Sequence, residues 1–190
     1  MKTRIKTLKH ILEGKKVLHV GFADYPDYQK KIDRGVFLHF HLMEVCDVWG
    51  IDTHNLSVEQ FKRKGVSNIT SDFNSLPGDF DYILFGEILE HVNDPVALLS
   101  SYKKKYPNAK VIATIPNAFR LRSFFDALLG RELVNPDHRC WYSPITISKV
   151  FELAGYSGRT DMIESYPRLP HIYLILTMFP LLRDTVMITA

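Results

Sequence analysis

Residues that could transfer protons or bind a metal ion cluster in one short stretch of the chain. Glu87, Glu90 and His91 are spaced i, i+3 and i+4, so a helix there would place all three on one face. The apolar run Tyr82 to Phe85 directly precedes them and follows a turn at Pro77-Gly78, which is typical of a strand buried on both faces. The sequence therefore predicts a core strand that ends at two carboxylates and an imidazole.

A second imidazole, His138, lies in a predicted loop from Asn135 to Tyr142. A histidine is the usual group that removes a proton from a hydroxyl or amine, so His91 and His138 are the candidate general bases. The alternative for His91 is a helix residue that is hydrogen-bonded to the neighbouring loop, and the alternative for His138 is a structural histidine of its loop. His19 and His41 lie in apolar contexts and are expected to pack in the core.

Three predicted strands end in residue types that suit an adenine nucleoside. Gly21 follows the first strand, where a small residue lets a ligand approach the backbone. Asp52 follows the second strand and Asp72 the third, where carboxylates can accept hydrogen bonds from ribose hydroxyls and an exocyclic amine. The alternative is that these acids cap the helices that follow them.

The elements that must position these residues alternate regularly between strand and helix. Strands are predicted at 16–20, 46–52, 68–71, 82–85, 110–115, 157–163 and 185–189, and helices at 5–12, 35–45, 58–64, 95–102, 119–129 and 143–153. Such alternation predicts an α/β, doubly wound (Rossmann-like) fold with a mostly parallel seven-stranded sheet and an antiparallel last strand. We expect residues 1–190 to form one domain, with the last strand pairing at the sheet edge.

Composition narrows the classes of partner. The net charge of +3 is too small to argue for a nucleic-acid partner or an anionic membrane, so no nucleic acid is expected, and the two cysteines indicate neither a disulfide framework nor a metal motif. No signal core follows the basic N-terminus, so a cytoplasmic protein is expected. A transmembrane segment is not expected either, because the longest apolar stretch, 172–182, is interrupted by Pro180.

Several surface features have two interpretations from sequence. The predicted N-terminal helix, 5–12, covers a sheet edge or lies on a membrane surface, and stretch 172–182 packs on the sheet or faces a lipid or partner chain. Trp141 and Tyr142 either stack on a substrate or fix their loop to the core. Three arginines either contact an anionic substrate or form a solvated face: Arg120, Arg122 and Arg131.

The order of motifs VLHVG, WGID, SDF, FDYILFGEILEHV and VIATIPN resembles that of class I S-adenosylmethionine-dependent methyltransferases. The segment DHRCWYSPITISKVFELAGY also resembles the H-x-x-W-[YF]-[ST]-P segment before the last helix of that family. The resemblance covers about residues 15 to 155 and the final strand. It implies S-adenosylmethionine as cofactor and methyl transfer to a hydroxyl or amine of a small metabolite or glycan; whether the chain forms a homodimer stays open.

The resemblance also implies roles for individual residues. Asp52 and Thr53 would hold the ribose end of the cofactor, and Asp72 and Phe73 the adenine. The remaining cofactor-binding residues would be those beside the methionine part, Gly21, Phe22 and Ala23, and those near the sulfonium, Gly86 and Glu87. The catalytic candidates are His138, His91 and Glu87.

The pattern E-x-x-E-H followed by a later histidine resembles one subset of the family that binds a metal. That subset includes ubiquinone-biosynthesis O-methyltransferases and small-RNA 3′-end methyltransferases. The resemblance implies a site for Mg²⁺, Mn²⁺, Fe²⁺ or Zn²⁺ formed by Glu87, Glu90, His91 and His138. Metal-free relatives share the motif, however, and in those Glu90 and His91 would brace the substrate loop.

The chain departs from the family after its first strand. The usual G-x-G-x-G is replaced by Gly21-Phe22-Ala23-Asp24-Tyr25, and the segment 25–29 is an insertion that we expect to act as a lid. The departure favours an alternative, a non-catalytic methyltransferase-like binding or scaffold protein. It also argues against a nicotinamide-dependent dehydrogenase, which needs G-x-G-x-x-G for its pyrophosphate.

Overall fold

A seven-stranded sheet forms the centre of the protein in a computed structural model that describes residues 3–165 and 169–190. The strands are β1 (Lys16–Val20), β2 (Asp47–Ile51), β3 (Ile69–Thr70), β4 (Tyr82–Gly86), β5 (Lys110–Pro116), β6 (Arg159–Ile163) and β7 (Thr185–Thr189). The helices are α1 (Arg4–Leu12), α2 (Tyr28–Asp33), α3 (Leu38–Met43), α4 (Asn55–Arg63), α5 (Pro95–Lys105), α6 (Leu121–Leu128), α7 (Pro144–Leu153) and α8 (Pro170–Met178).

The strand order in the sheet is β3-β2-β1-β4-β5-β7-β6. Strand β7 is antiparallel to both of its neighbours, and the other strand pairs are parallel. The predicted doubly wound fold with an antiparallel last strand is therefore confirmed. One detail is wrong: β7 lies between β5 and β6, so β6 and not β7 forms the sheet edge.

Both faces of the sheet are buried, which explains why its central strands are continuously apolar. Along β4, Ile83 packs in the cluster on one face and Leu84 in the cluster on the other. Helices α5 and α7 contribute Leu99 and Phe151 to the first cluster, and α1 contributes Leu8 to the second. Burial of each such side chain stabilises the fold by roughly 2 kcal/mol. Helix α1 therefore packs on the sheet, as the first of its two interpretations predicted, but it covers a face of the central strands and not an edge.

Local signals fixed several element boundaries correctly. Helix α7 begins after a capping box, in which the Ser143 side chain accepts from the Thr146 N–H and the Thr146 side chain bonds back to the Ser143 backbone. Helix α5 begins with Pro95 after Asp94, whose side chain accepts from the Ala97 N–H. The predicted helix over 35–45 is shorter than expected, and α2 was not predicted. Across the described ranges, no helix is both long and apolar enough to cross a membrane.

A pair of histidines is buried between β1 and α3. The Nδ1 atoms of His19 and His39 lie 3.3 Å apart, so one ring donates to the other. Phe22 packs against the His39 ring, with centroids 4.8 Å apart. Our expectation for His19 is confirmed, but that for His41 is wrong. The His41 side chain is partly exposed, because its Nε2–H reaches the Gly35 carbonyl at the helix surface.

The buried pair predicts a loss of stability in acid. Burial lowers the pKa of His39 to about 4, and burial together with the nearby His39 and Arg4 lowers the pKa of His19 well below its usual value. At these two sites the unfolded chain therefore binds more protons below about pH 6.5 than the folded chain, so the contribution of the pair to stability is complete above that pH and is lost as the pH drops toward about 4. Urea unfolding should show a slope of on the order of 1 kcal/mol per pH unit per histidine.

The variant His39→Gln should flatten this slope, whatever its absolute stability, because it removes one titrating ring. His10→Gln is the matched control, since the His10 side chain is exposed. A slope in His39→Gln equal to that of the unchanged protein would contradict the assignment of the acid sensitivity to this pair.

Candidate functional site

The turn after β4 brings the predicted acid–base residues to the carboxyl edge of the sheet. Glu87 adopts a left-handed conformation, φ +61°, while its N–H donates to the Thr114 carbonyl of β5 at 2.8 Å. A single 3₁₀ turn, Leu89–His91, follows. The prediction that Glu87, Glu90 and His91 share one helical face is therefore wrong. The chain has too few residues before Pro95 for a helix, because the proline disfavours helical backbone at the residue before it.

The turn is fastened to the loop that carries His138. The Glu90 carbonyl accepts from the N–H groups of Arg139, at 2.8 Å, and Cys140, at 3.3 Å. The Arg139 Nε–H donates to the His91 carbonyl at 2.9 Å. As a result, the rings of His91 and His138 lie edge to face with their centroids 4.7 Å apart. Two segments almost fifty residues apart in sequence thus converge at one point.

Glu90 is the most unusual member of this group. Its side chain is 1% exposed, and neither carboxylate oxygen has a hydrogen-bond partner among the described residues. Burial, and then the nearby Glu87 carboxylate, raises the pKa of Glu90 to about 8. A buried carboxyl without a partner is costly to fold, which indicates a site for a proton, a ligand or a cation.

Three of the four residues assigned to the predicted metal site do lie together. Single ligand atoms of Glu90, His91 and His138 are all within 4.8 Å of one another. Two ligand atoms bound at about 2.1 Å from one ion are at most about 4.2 Å apart, so the group would need only a small contraction. Glu87 is not in this group, and its Oε2 lies 2.6 Å from the Arg4 Nη1 in an ion pair.

The histidines have distinct surroundings. The Nδ1 of His91 lies 3.2 Å from the Asp137 carbonyl, and as the donor it would leave Nε2 with the free lone pair. Burial, and then the neighbouring His91 and Arg120, lowers the pKa of His138. A neutral imidazole can accept a proton or bind a metal, so both uses proposed from the sequence remain chemically consistent.

A cavity of about 430 Å³ connects this group with the ends of β1 and β2. The predicted site residues that line it are Gly21, Asp52, Thr53, Glu87, Glu90, His91 and His138. Tyr25 and Pro26 of the insertion line it too, and the Tyr25 ring stacks on His54 with centroids 3.8 Å apart. The insertion therefore lies over the cavity, where a lid would be.

Asp52 is built into the cavity wall. Its Oδ2 accepts from the Ala23 N–H at 3.0 Å and its Oδ1 from the His54 N–H at 2.9 Å. These bonds use one lone pair of each oxygen, so the carboxylate can still accept from two hydroxyl groups. Asp52 thus orders the loop after β1 and retains the acceptor capacity that a ribose needs.

Other predicted cofactor-binding residues do not line the cavity. Phe22 and Ala23 are fully buried, and the Phe22 ring packs against Phe61 beneath the loop. Asp72 accepts from the Asn74 N–H at 2.8 Å, as the capping alternative predicted, and Phe73 packs edge to face on Tyr102.

Gly86 is required for packing rather than for ligand approach. A Cβ at this position would lie 2.9 Å from the His19 Nε2. A Cβ at Gly21 would lie 2.7 Å from the Ile88 Cδ1, so Ile88 already occupies the space beside that glycine.

Two residues at the site were not predicted from the sequence. Arg4 reaches Glu87 from α1, and Lys31 reaches Asp24 at 2.6 Å, beneath the insertion. Burial raises the pKa of Asp24, and the Lys31 ammonium opposes that shift. The pairing of Arg4 with Glu87 joins segments that meet only in the folded chain, whereas Lys31 and Asp24 are seven residues apart and meet because the chain turns between them.

Comparison with known proteins identifies the family. A family model described as a methyltransferase domain matches residues 33–160, which is more than half of the chain. No curated protein sequence matches this chain. The solved structures with this fold include the magnesium protoporphyrin IX methyltransferase of Synechocystis with bound S-adenosylhomocysteine. Its sequence identity to this chain is 16% and the TM-score is 0.59, and the alignment covers 97% of this chain and 78% of that one.

Two further structures are similar. A possible histamine N-methyltransferase from Thermotoga maritima has 14% identity and a TM-score of 0.58, covering 97% of this chain and 86% of its own. A cyclopropane-fatty-acyl-phospholipid synthase-like protein from Lactobacillus casei has 14% identity and a TM-score of 0.58, covering 98% and 88%. At these identities the likeness shows the fold. Because the family model matches most of the chain, the protein belongs to the methyltransferase domain family, and the predicted resemblance to class I S-adenosylmethionine-dependent methyltransferases is confirmed.

Proposed function

We propose that this methyltransferase transfers a methyl group from S-adenosylmethionine to a hydroxyl or amine of a small metabolite or glycan. One observation carries the proposal. A single cavity joins Asp52, at the end of β2, with the cluster of Glu90, His91 and His138. The cofactor supplies a methyl group on a sulfonium, which leaves the protein to bind, orient and deprotonate the acceptor.

The residues of the chain divide this work along the cavity. Asp52 and Thr53 would hold the ribose, and Gly21 would lie near the methionine part. His138, or His91 beside it, would accept the proton of the acceptor. Glu90, buried behind them, would hold the proton or support the charge that develops on the imidazole.

The same three residues would hold a divalent metal if one binds. The orphaned Glu90 carboxylate and the two imidazoles are a donor set that suits Zn²⁺, Fe²⁺ or Mn²⁺ better than Mg²⁺, which prefers oxygen ligands. A metal there would lower the pKa of the acceptor hydroxyl. In this metal-binding arrangement Glu87 is not a ligand. Its ion pair with Arg4 would instead position the turn after β4.

A non-catalytic binding or scaffold protein is the alternative, and one contact favours it. The Ile88 side chain fills the space beside Gly21, where the family keeps a glycine-rich loop open for the methionine part. The nearest atom is the terminal Cδ1 of Ile88, so rotation about χ2 would move it away from Gly21. Turnover of S-adenosylmethionine decides between the two functions.

The Asp52 carboxylate should carry much of the cofactor affinity. The variant Asp52→Ala removes the acceptor of two ribose hydroxyls, which costs roughly 1–3 kcal/mol. Calorimetry should therefore show S-adenosylhomocysteine binding weakened by about tenfold or more. Asp52→Asn keeps one oxygen for the backbone N–H groups and should weaken binding less. Asp47→Ala, at the exposed start of the same strand, is the control. Unchanged affinity in Asp52→Ala would exclude this carboxylate from the pocket.

The insertion should become protected when the cofactor product binds. Tyr25 and Pro26 already line the cavity, so a bound ligand would contact them and slow their opening. Hydrogen exchange of residues 22–34 should slow in the presence of S-adenosylhomocysteine, while exchange in α7, on a distant part of the chain, should not change. Equal exchange in both conditions would show that the insertion is not a lid.

The His138→Ala variant tests the chemistry. Loss of a general base should slow the rate at which S-adenosylhomocysteine is formed by roughly 10²–10⁴-fold, measured across a panel of hydroxyl and amine acceptors. His10→Ala, on the exposed face of α1, should be as active as the unchanged protein.

Metal analysis of the purified protein separates the two roles of His138. Bound metal that is lost in His138→Ala, with activity removed by chelation, would support the metal. Activity that survives chelation but not His138→Ala would leave His138 as a general base and contradict the metal. If neither treatment matters, the assignment of the site is wrong.

A further inference from the structure

Helix α6 turns its apolar side away from the protein. Its one buried residue is Asp126, whereas Phe124, Phe125 and Leu128 are exposed by 52%, 55% and 67%. An ordinary surface helix buries its apolar stripe and exposes its charges. The orientation of α6 is the reverse, so its outer face needs another partner to cover it.

Helix α8 has the same property. Leu176 is its single buried residue, and Leu174, Met178 and the following Phe179 are exposed by 63%, 67% and 55%. Burial of stretch 172–182 against the sheet, one of the alternatives from sequence, is therefore wrong for most of its side chains. Helix α8 therefore contacts the rest of the protein mainly through Leu176, and most of its other side chains face the solvent.

The two segments meet beside the end of β5. The Asn117 side-chain amide donates to the carbonyls of Leu181 and Arg183, both at 2.7 Å. Asn117 stands two residues before Phe119, which is 51% exposed, and Leu181 is 49% exposed. We call the exposed apolar side chains of segments 119–129 and 169–181 the apolar face.

The exposed apolar area of the two segments, taken together, is large. The eight side chains named so far, each exposed by roughly half or more, sum to on the order of 700 Å² over the two segments. The largest apolar patch on a typical monomer is about 300–600 Å² and is often functional.

The charges of these segments have one sign at the surface. Between residues 118 and 131 the one acid is Asp126, which is buried within 3.6 Å of the Arg122 Nε and 3.7 Å of the Arg131 Nη2. Between residues 169 and 183 the sequence has no acid, and the nearest exposed acid, Glu132, follows the first segment. The exposed charged groups of the two segments are therefore cationic, and two of them, Arg122 and Arg131, share the single buried acid Asp126.

This combination fits the surface of an anionic lipid bilayer better than a second copy of the chain. In a twofold dimer the face would meet itself, so arginines would approach arginines with no exposed acid of these segments to pair them. A bilayer accepts the apolar side chains among its acyl chains and the arginines at its phosphates. We infer that the apolar face binds peripherally to an anionic lipid surface.

The position of the face connects it to the site already described. Arg120 and Ser123, at the start of α6, share a small pocket with Glu90 and His138. A bilayer bound to the apolar face would therefore lie beside the acid–base cluster. The binding itself does not depend on the methyltransferase function.

Vesicle flotation with the purified full chain tests the inference. The protein should float with mixed phosphatidylcholine and phosphatidylglycerol vesicles, and less with phosphatidylcholine vesicles, and salt should weaken the binding. The double variant Phe124→Ser/Phe125→Ser should bind the mixed vesicles about tenfold less. Leu56→Ser, an exposed apolar position on α4 at the other side of the sheet, should bind as the unchanged protein does.

A second double variant on helix α8, Leu174→Ser/Met178→Ser, should lose vesicle binding in the same way. It tests the inference without changing α6. The inference is overturned if the unchanged protein does not float with the mixed vesicles, or if both double variants bind them normally. It is also overturned if light scattering shows a dimer that the double variants make monomeric, because a second copy would then cover the face.

Discussion

The hydrogen bonds from the loop at Arg139 and Cys140 to the Glu90 carbonyl hold the candidate site together. Together with the bonds that His91 makes to Arg139 and Asp137, they join the turn after β4 to the loop with His138. With them, the Glu90 side chain is enclosed and the two imidazoles meet. Burying that carboxyl destabilises the folded state. The apolar residues buried on both faces of the sheet stabilise it enough for the protein to fold in spite of this site.

The general fold could be predicted from the sequence because its signals are local and strong. Short runs of mostly apolar residues marked β1 and β7 to the residue, and a serine–proline start marked α7. The position of β7 between β5 and β6 could not be predicted in this way, because strand order depends on which edges remain open when the last strands form. The buried partner of His19 was also missed, since His39 and His41 have similar neighbours in sequence and differ only in the side of α3 that they face.

The candidate site shows the same division. Asp52, His91 and His138 could be chosen from residue type and position, and the structure brings them to one cavity. The backbone conformation of Glu87 could not be predicted, because the sequence alone does not distinguish a left-handed residue from the first residue of a helix. Its pairing with Arg4 joins residues more than eighty positions apart, and no periodicity predicts such a contact.

We infer that one cavity holds both the cofactor and the acid–base cluster. A crystal structure of the protein grown with S-adenosylhomocysteine would test this inference. The ribose hydroxyls should lie within hydrogen-bonding distance of the Asp52 carboxylate, and the sulfur atom should face Glu90 and His138. A ligand bound elsewhere, or a cavity still filled by Ile88 and Tyr25 at saturating ligand, would contradict it.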